Sequence, residues 1–282
     1  MINKKSNKKS NKKPNKKSSK KPGKRPNKKP GKKPNKKPDN NTNNKIQHLI
    51  PALWLAGFLT FSFHLSPYIH NYAEGKREYK ELNLSISKSN SEKNEFSPIQ
   101  NEKLPESYLQ NLNPDYIFWL YIPGTAVNYP VARNAEPGYY LTHTFQGTEN
   151  PCGSLFVQEE VKDLNHGNTI IFGHNMKDGS MFADLKNYKN QNFYSSHQTI
   201  QIHYKGKWQK CNIFSCQIRE EEDLQCYQTD FSDPKEKQEF IHQMKVSSLY
   251  DIQFQPSENR PIITLSTCYG RSKRMIVQAV LM

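Results

Sequence analysis

Acidic residues are almost missing from the first 45 positions of this 282-residue chain, which hold nineteen lysines and arginines but only Asp39 as a carboxylate. This segment has a net charge of +18, and its repeated Asn-Lys-Lys-Pro-type units have no apolar side chains that could form a core. Residues 1–45 are therefore predicted to be disordered. The rest of the chain holds 22 basic and 25 acidic residues, a net charge of −3. This balance gives the folded part no basic excess, and we predict no specific nucleic-acid partner.

Charged residues are absent from the stretch 49–65 (LIPALWLAGFLTFSFHL). Its 17 residues reach the lower limit for a helix that spans a bilayer, and Pro51 falls in the first turn, where it costs little. No small-x-small cleavage site follows His64, which argues against a cleaved signal peptide, and a buried core helix is the other alternative. We predict an uncleaved single-pass anchor over 46–69 and an extracellular polar linker over 70–103 that includes a short helix from Ala73 to Leu82.

The charge asymmetry around this stretch predicts its orientation. By the positive-inside rule, the basic tail stays in the cytoplasm and everything after about Tyr68 is extracellular, at the cell membrane. Two roles for the tail remain open: fixing this orientation alone, or also contacting anionic lipid head groups.

Several kinds of site have no motif in this sequence. Glycine-rich phosphate loops, dinucleotide fingerprints and carboxylate-rich metal loops are missing, and we predict neither a cofactor nor a metal. Cysteine is scarce, and the odd number of five leaves at least one free thiol. Cys211 and Cys216 lie five apart in a predicted strand, so their side chains point to opposite faces. With Cys226 and His203 they form only a weak zinc pattern.

Short β-rich segments fill residues 104–282, which we predict to be one mostly-β domain. Their spacing indicates a barrel or a sandwich. Helical spacing predicts a helix from Met181 to Tyr188, and a second helix over 233–248 begins with a capping box at Asp233. The eight predicted strands are 117–122, 127–131, 154–157, 169–172, 199–204, 208–218, 262–266 and 275–281.

A thiol and a cation lie at neighbouring predicted strand ends. The sequence ITLSTC ends one strand at Cys268, and Arg274 directly precedes the apolar final strand. If these strands pair, the guanidinium favours the thiolate and can meet the charge that develops on an attacked carbonyl. His174 follows the strand 169–172 through a glycine, which makes it the candidate acid or base.

These residues resemble a known family. The run 264–268 (TLSTC) with a downstream arginine resembles the active-site strand of the sortases, membrane-anchored cysteine transpeptidases of Gram-positive cell surfaces. The segments 173–185 (GHNMKDGSMFADL), 113–125 (NPDYIFWLYIPGT) and 153–156 (GSLF) are similar to class B sortases in particular. The capped helix at 233–248 falls where class B members insert a helix between two late strands.

The resemblance implies an eight-stranded sortase barrel with peripheral helices. Cys268 would attack the threonine carbonyl of a pentapeptide sorting signal. His174 would protonate the departing amine and then accept a proton from the incoming one, and Arg274 would bind signal carbonyls and the oxyanion. Ser266 and Leu141 are predicted substrate contacts. The implied partners are surface proteins that bear the signal and an amine of a peptidoglycan precursor.

The chain departs from some class B members just past the cysteine. They carry an acidic residue there, whereas Tyr269 and Gly270 stand in this sequence, so we predict a Cys-His-Arg set without a triad aspartate. Arg274 is preferred over Arg271 and Lys273 because it directly precedes the final strand. Two alternatives are a membrane-anchored hydrolytic cysteine protease and a non-enzymatic surface scaffold. Papain-like proteases place the cysteine before the histidine, which is the reverse of the order here.

Protease treatment of intact cells tests the predicted topology. The region after Tyr68 should be cut while residues 1–45 stay protected, because the basic tail is retained in the cytoplasm. Immunoblots against tags at the two ends identify the fragments. A cut tail with a protected C-terminal domain would contradict both the anchor and the localisation.

Overall fold

The structure, a computed structural model, describes residues 40–89, 105–133, 136–161, 163–164 and 167–282. Its contacts divide the chain into two compact units, Met1–Ala56 and Gly57–Met282. The described part of the first unit, 40–56, is helical. Of the predicted disordered tail, residues 40–45 belong to this helix, and the others lie outside the described residues.

The α-helices in the described ranges are α1 (Asn40–Ser89), α2 (Glu106–Leu112), α3 (Gln191–Ser196) and α4 (Pro234–Val246). Helix α1 contains the stretch predicted as an anchor and continues into the residues predicted as a linker. Near its end, Tyr79 and Leu82 are buried in the main core of the second unit. In the part of the chain that the structure describes, no helix is both long enough and apolar enough to cross a membrane.

All eight predicted strands are present; the fifth has the predicted bounds, and the others differ at one or both ends. They close into a barrel in the order β1-β2-β3-β4-β7-β8-β6-β5. The pairs β2–β3 and β4–β7 are parallel, and the other pairs are antiparallel. The strands are β1 (Tyr116–Tyr121), β2 (Asn128–Arg133), β3 (Leu155–Val157), β4 (Asn168–Phe172), β5 (Thr199–Tyr204), β6 (Lys207–Glu220), β7 (Ile262–Tyr269) and β8 (Lys273–Leu281).

The apolar run of β8 is buried on both faces of the sheet. Successive side chains of a strand point to opposite faces. Met275 and Val277 lie in the main core, whereas Ile276 and Val280 join a second cluster that includes Phe240 of α4. The continuous apolar sequence of β8 therefore reflects a strand that is covered by the barrel core on one side and by α4 on the other.

Helix α4 begins where the sequence predicts. Asp233 accepts hydrogen bonds from the backbone N–H groups of Lys235 and Glu236, at 2.8 and 2.9 Å, and Pro234 occupies the first turn. The Glu236 carboxylate accepts from the backbone N–H of Ser232, one residue before the cap, rather than from the cap itself. The start of α4 is thus fixed by local capping, independently of its packing.

The helix predicted from Met181 to Tyr188 is a 3₁₀-helix over Ala183–Lys189. Met181 has a φ of 54°, in the left-handed region, so a regular helix cannot begin there. The apolar side chains whose spacing predicted the helix are nevertheless buried: Met181, Phe182, Leu185 and Tyr188.

Burial on the core face of β8 predicts a stability difference between two valines. Val277→Ala should lower the free energy of unfolding by roughly 2 kcal/mol, because it removes fully buried methyl groups from the core. Val246→Ala should change it by less than about 0.5 kcal/mol, because Val246 is 72% exposed on α4. Urea unfolding measures both, and equal losses would contradict the described packing.

Candidate active site

Cys268 and Arg274 face each other across the β7–β8 pair. They are direct register partners, so both lie inside the paired strands rather than beyond their ends. Nη1 of Arg274 donates a hydrogen bond to Sγ of Cys268 at 3.0 Å, and Cys268 is exposed. A guanidinium in this position stabilises a thiolate and can also meet a developing oxyanion.

His174 reaches the same edge of the barrel through the parallel pair β4–β7. Phe172 is opposite Ser266 in that register, and His174 and Cys268 each lie two residues further along. The backbone N–H of Gly173 donates to the carbonyl of Ser266 at 3.3 Å, which continues the pairing past the end of β4. Because β4 and β7 are parallel, their carboxyl ends lie at the same edge of the sheet, and His174 and Cys268 are brought to that edge together.

Gly173 and Asn175, on either side of the histidine, fix its surroundings. A Cβ on Gly173 would lie 2.3 Å from a side-chain carbon of Leu155 and 2.8 Å from one of Phe182, so no larger residue fits without a shift. Nδ2 of Asn175 donates to the carbonyl of Cys268 at 2.8 Å. The loop that carries His174 is thereby tied to the strand that carries the thiol.

All five predicted site residues line one cleft of about 1120 Å³. Aromatic and apolar side chains from several elements form much of its wall. These side chains are those of Tyr139, Leu141, Phe156, Phe172, Leu224, Tyr227 and Phe240. Mostly apolar walls with a few convergent polar groups are typical of a binding site for an organic ligand.

Glu221 is a site residue that the sequence analysis missed. Its carboxylate pairs with Nη2 of Arg274, so the guanidinium is shared between Glu221 and Cys268. Partial burial acts to lower the pKa of Arg274, but the Glu221 carboxylate and the Cys268 sulfur outweigh it and raise that pKa. Glu221 directly follows β6, and it lies near Arg274 because β6 pairs with β8. The sequence alone does not indicate that these two strands pair.

The two predicted substrate contacts occupy different settings. Ser266 is buried, and its Oγ shares a hydrogen bond of 2.7 Å with the hydroxyl of Tyr227, whose pKa is raised by burial. The Leu141 side chain is exposed, and its carbonyl accepts a hydrogen bond from Nε2 of His174 at 2.7 Å. Tyr227 is a second residue that carried no signal in the sequence.

The other four cysteines are all buried. Burial raises the pKa of Cys152 and of Cys216 to about 12 and that of Cys226 to about 11, and it also raises that of Cys211. Their thiolates are therefore scarce near neutral pH. Within the described ranges, no group of three or more His, Cys, Asp or Glu side chains is placed to hold a metal ion.

Comparisons with known proteins point to one family. A model of the sortase domain matches residues 120–282. The chain is 34% identical to the sortase B of Listeria monocytogenes over 179 residues, which cover 61% of this chain and 72% of that protein.

Solved structures agree with this match. A Staphylococcus aureus sortase B–substrate complex superposes with a TM-score of 0.62 at 28% identity, covering 78% of this chain and 99% of that one. A sortase B complexed with triglycine gives a TM-score of 0.62 at 26% identity, covering 74% and 96%.

Alkylation of the native protein tests the contrast between the cysteines. Iodoacetamide at about pH 8 should modify a single thiol per chain, Cys268, because the other thiols are buried and protonated. Native Cys268→Ala should take up no label, whereas unfolding should expose the remaining four thiols. Peptide mapping by mass spectrometry locates the label, and preferential labelling of any other cysteine would contradict the assignment.

Proposed function

We propose that this chain, which belongs to the sortase family as a class B member, cleaves the sorting signal of surface proteins after threonine and transfers the acyl group to a cell-wall amine. Membership of this family makes it a cysteine transpeptidase of cell-wall protein anchoring. The observation that carries this proposal is the 3.0 Å contact between Arg274 Nη1 and Cys268 Sγ, in the cleft that His174 also lines.

The first half of the proposed reaction forms a thioester. Sγ of Cys268 attacks the threonine carbonyl carbon, and the charge that develops on the carbonyl oxygen is met by the Arg274 guanidinium. The C–N bond then breaks, and His174 delivers a proton to the departing amine. The acyl group remains on the sulfur, and the C-terminal fragment leaves.

The second half transfers the acyl group. A primary amine attacks the thioester carbonyl, His174 accepts the proton that the amine loses, and the C–S bond breaks. The sulfur leaves as a thiolate next to Arg274, which restores the starting state. The S. aureus sortase B bound to substrate and the sortase B bound to triglycine support a peptide donor and an amine acceptor of this kind.

The cleft supports an extended peptide as the donor. A pentapeptide in extended form spans at most about 18 Å, and the cleft combines its aromatic walls with polar groups from Ser266, Tyr227 and Arg274. We propose that Ser266 and the exposed side chain of Leu141, which both line this cleft, contact the signal.

We also propose a membrane location, with the tail in the cytoplasm and the barrel outside the cell. Large apolar side chains on α1, among them Phe58, Phe61 and Phe63, are more than half exposed. Exposed apolar residues on consecutive helical turns, next to a strongly basic segment, support an anchor with a positive-inside orientation.

Two arginine variants test the proposed role of Arg274. Arg274→Lys should lose roughly 10²-fold or more in turnover, because an ammonium cannot keep the fork that joins Cys268 and Glu221. Arg271→Lys should stay close to the wild-type rate, since Arg271 lies exposed in the turn between the two strands. The measurement is steady-state cleavage of a fluorogenic sorting-signal peptide in the presence of an amine.

The same assay separates transfer from hydrolysis. Mass spectrometry should show the peptide joined to the added amine, and Cys268→Ala should give neither product. Equal losses in the two arginine variants would contradict the assignment of Arg274, and a purely hydrolytic product at saturating amine would favour the protease alternative.

A further inference from the structure

The hydrogen bond from His174 to Leu141 fixes the position of one proton. Nε2 of His174 lies 2.7 Å from the Leu141 carbonyl oxygen. A carbonyl oxygen can only accept, so Nε2 must carry its hydrogen whether the imidazole is neutral or charged. Nδ1 is then the nitrogen that gains and loses a proton during the reaction.

The position of the Leu141 carbonyl depends on the close packing of Gly153 against the backbone of Tyr140 and Leu141. A Cβ on Gly153 would lie 2.4 Å from the carbonyl oxygen of Tyr140 and 2.9 Å from that of Leu141. The backbone N–H of Ser154 donates to the Tyr140 carbonyl at 2.9 Å. The two ends of the segment 139–154 are therefore locked together at Gly153, next to the acceptor of the His174 proton.

Helix α1 holds this segment through Tyr79. The buried Tyr79 hydroxyl donates to the carbonyl of Gly153 at 2.8 Å and accepts from the backbone N–H of Phe145 at 3.1 Å. The carboxylate of Glu78 accepts from the backbone N–H of Gln146 at 3.0 Å. The helix thus satisfies backbone groups at both the middle and the end of the segment.

The motif Asn113-Pro114-Asp115 holds the segment at two further points. Nδ2 of Asn113 donates to the Tyr140 hydroxyl at 2.8 Å and to the Phe145 carbonyl at 2.7 Å. The Tyr140 hydroxyl donates to the Asp115 carboxylate at 2.9 Å. The residue before Leu141 is therefore anchored through its side chain as well as through its backbone.

We propose that Tyr79 is a positioning residue for proton transfer: it holds the segment 139–154 so that the Leu141 carbonyl keeps the proton of His174 on Nε2. This rests on the proposed catalytic role of His174. The helix that leads from the anchor region to the barrel then sets the proton arrangement of the catalytic imidazole, in addition to connecting the two parts of the chain.

Tyr79→Phe tests this link with Tyr188→Phe as its control. Both hydroxyls belong to buried rings and donate to backbone carbonyls, since Tyr188 donates to His197 at 2.8 Å. In the full chain kept in detergent, Tyr79→Phe should lower kcat about 10-fold with KM changed less than about 2-fold, because displacement of a reacting group is costly. Tyr188→Phe should leave kcat within about 2-fold of the wild type.

Gly153→Ala tests the same link without altering α1. Its control is Gly206→Ala, because Gly153 and Gly206 both have positive φ, 58° and 75°, but a Cβ on Gly206 meets nothing within 4 Å. Backbone strain is common to the two variants, whereas only Gly153→Ala displaces the Leu141 carbonyl. The expected result is a larger fall in kcat for Gly153→Ala, by about 10-fold relative to its control.

Nitrogen-15 NMR of labelled histidine reads the proton position directly and does not depend on activity. Neutral His174, assigned by its loss in His174→Gln, should carry its proton on Nε2 in the wild type and in both controls. Tyr79→Phe and Gly153→Ala should show a mixture of the two tautomers. A wild-type proton on Nδ1, or wild-type spectra and kcat in Tyr79→Phe, would overturn the proposal. Loss of activity in His174→Gln alone would still support the proposed function.

Discussion

The site depends on strand β7 pairing with β8 on one side and with β4 on the other. The antiparallel β7–β8 register sets Arg274 opposite Cys268, and the parallel β4–β7 register brings the residues after β4 to the same edge. A slip of one residue would turn every side chain of β7 to the opposite face, which would take the thiol away from Arg274 and remove Ile263 and Leu265 from the barrel core. The buried residues of β7 and β8 therefore specify the geometry of the candidate site as well as the fold.

Residues outside the β7 pairings contact the Arg274 guanidinium and the His174 imidazole. Glu221, just beyond β6, shares the Arg274 guanidinium with the thiol. The Leu141 carbonyl takes the Nε2 proton of His174, and α1 contacts the segment that carries it. The barrel thus brings the thiol, the guanidinium and the imidazole to one cleft, while residues distant in sequence form hydrogen bonds with them.

Much of this could be predicted from local sequence. All eight strands and the capped start of α4 follow from alternation, turn residues and one capping box. The strand-end positions of Cys268, His174 and Arg274 predicted that these side chains would lie close together, and all three line one cleft. Glu221 and Tyr227 could not be predicted, because their proximity to the site depends on which strands pair and on how the connection between β6 and β7 folds. The 3₁₀ conformation of Ala183–Lys189 was not predicted, because a methionine at position 181 gives no indication of the left-handed backbone found there.

Trapping the acyl-enzyme tests most directly whether the paired thiol and guanidinium form a transpeptidase site. The full chain is mixed with a sorting-signal peptide without added amine, and its intact mass is recorded over time. A mass increase equal to the N-terminal peptide fragment, located on Cys268 and released as a conjugate when an amine is added, is the predicted result. Cleavage without any adduct, or an adduct on another residue, would contradict it.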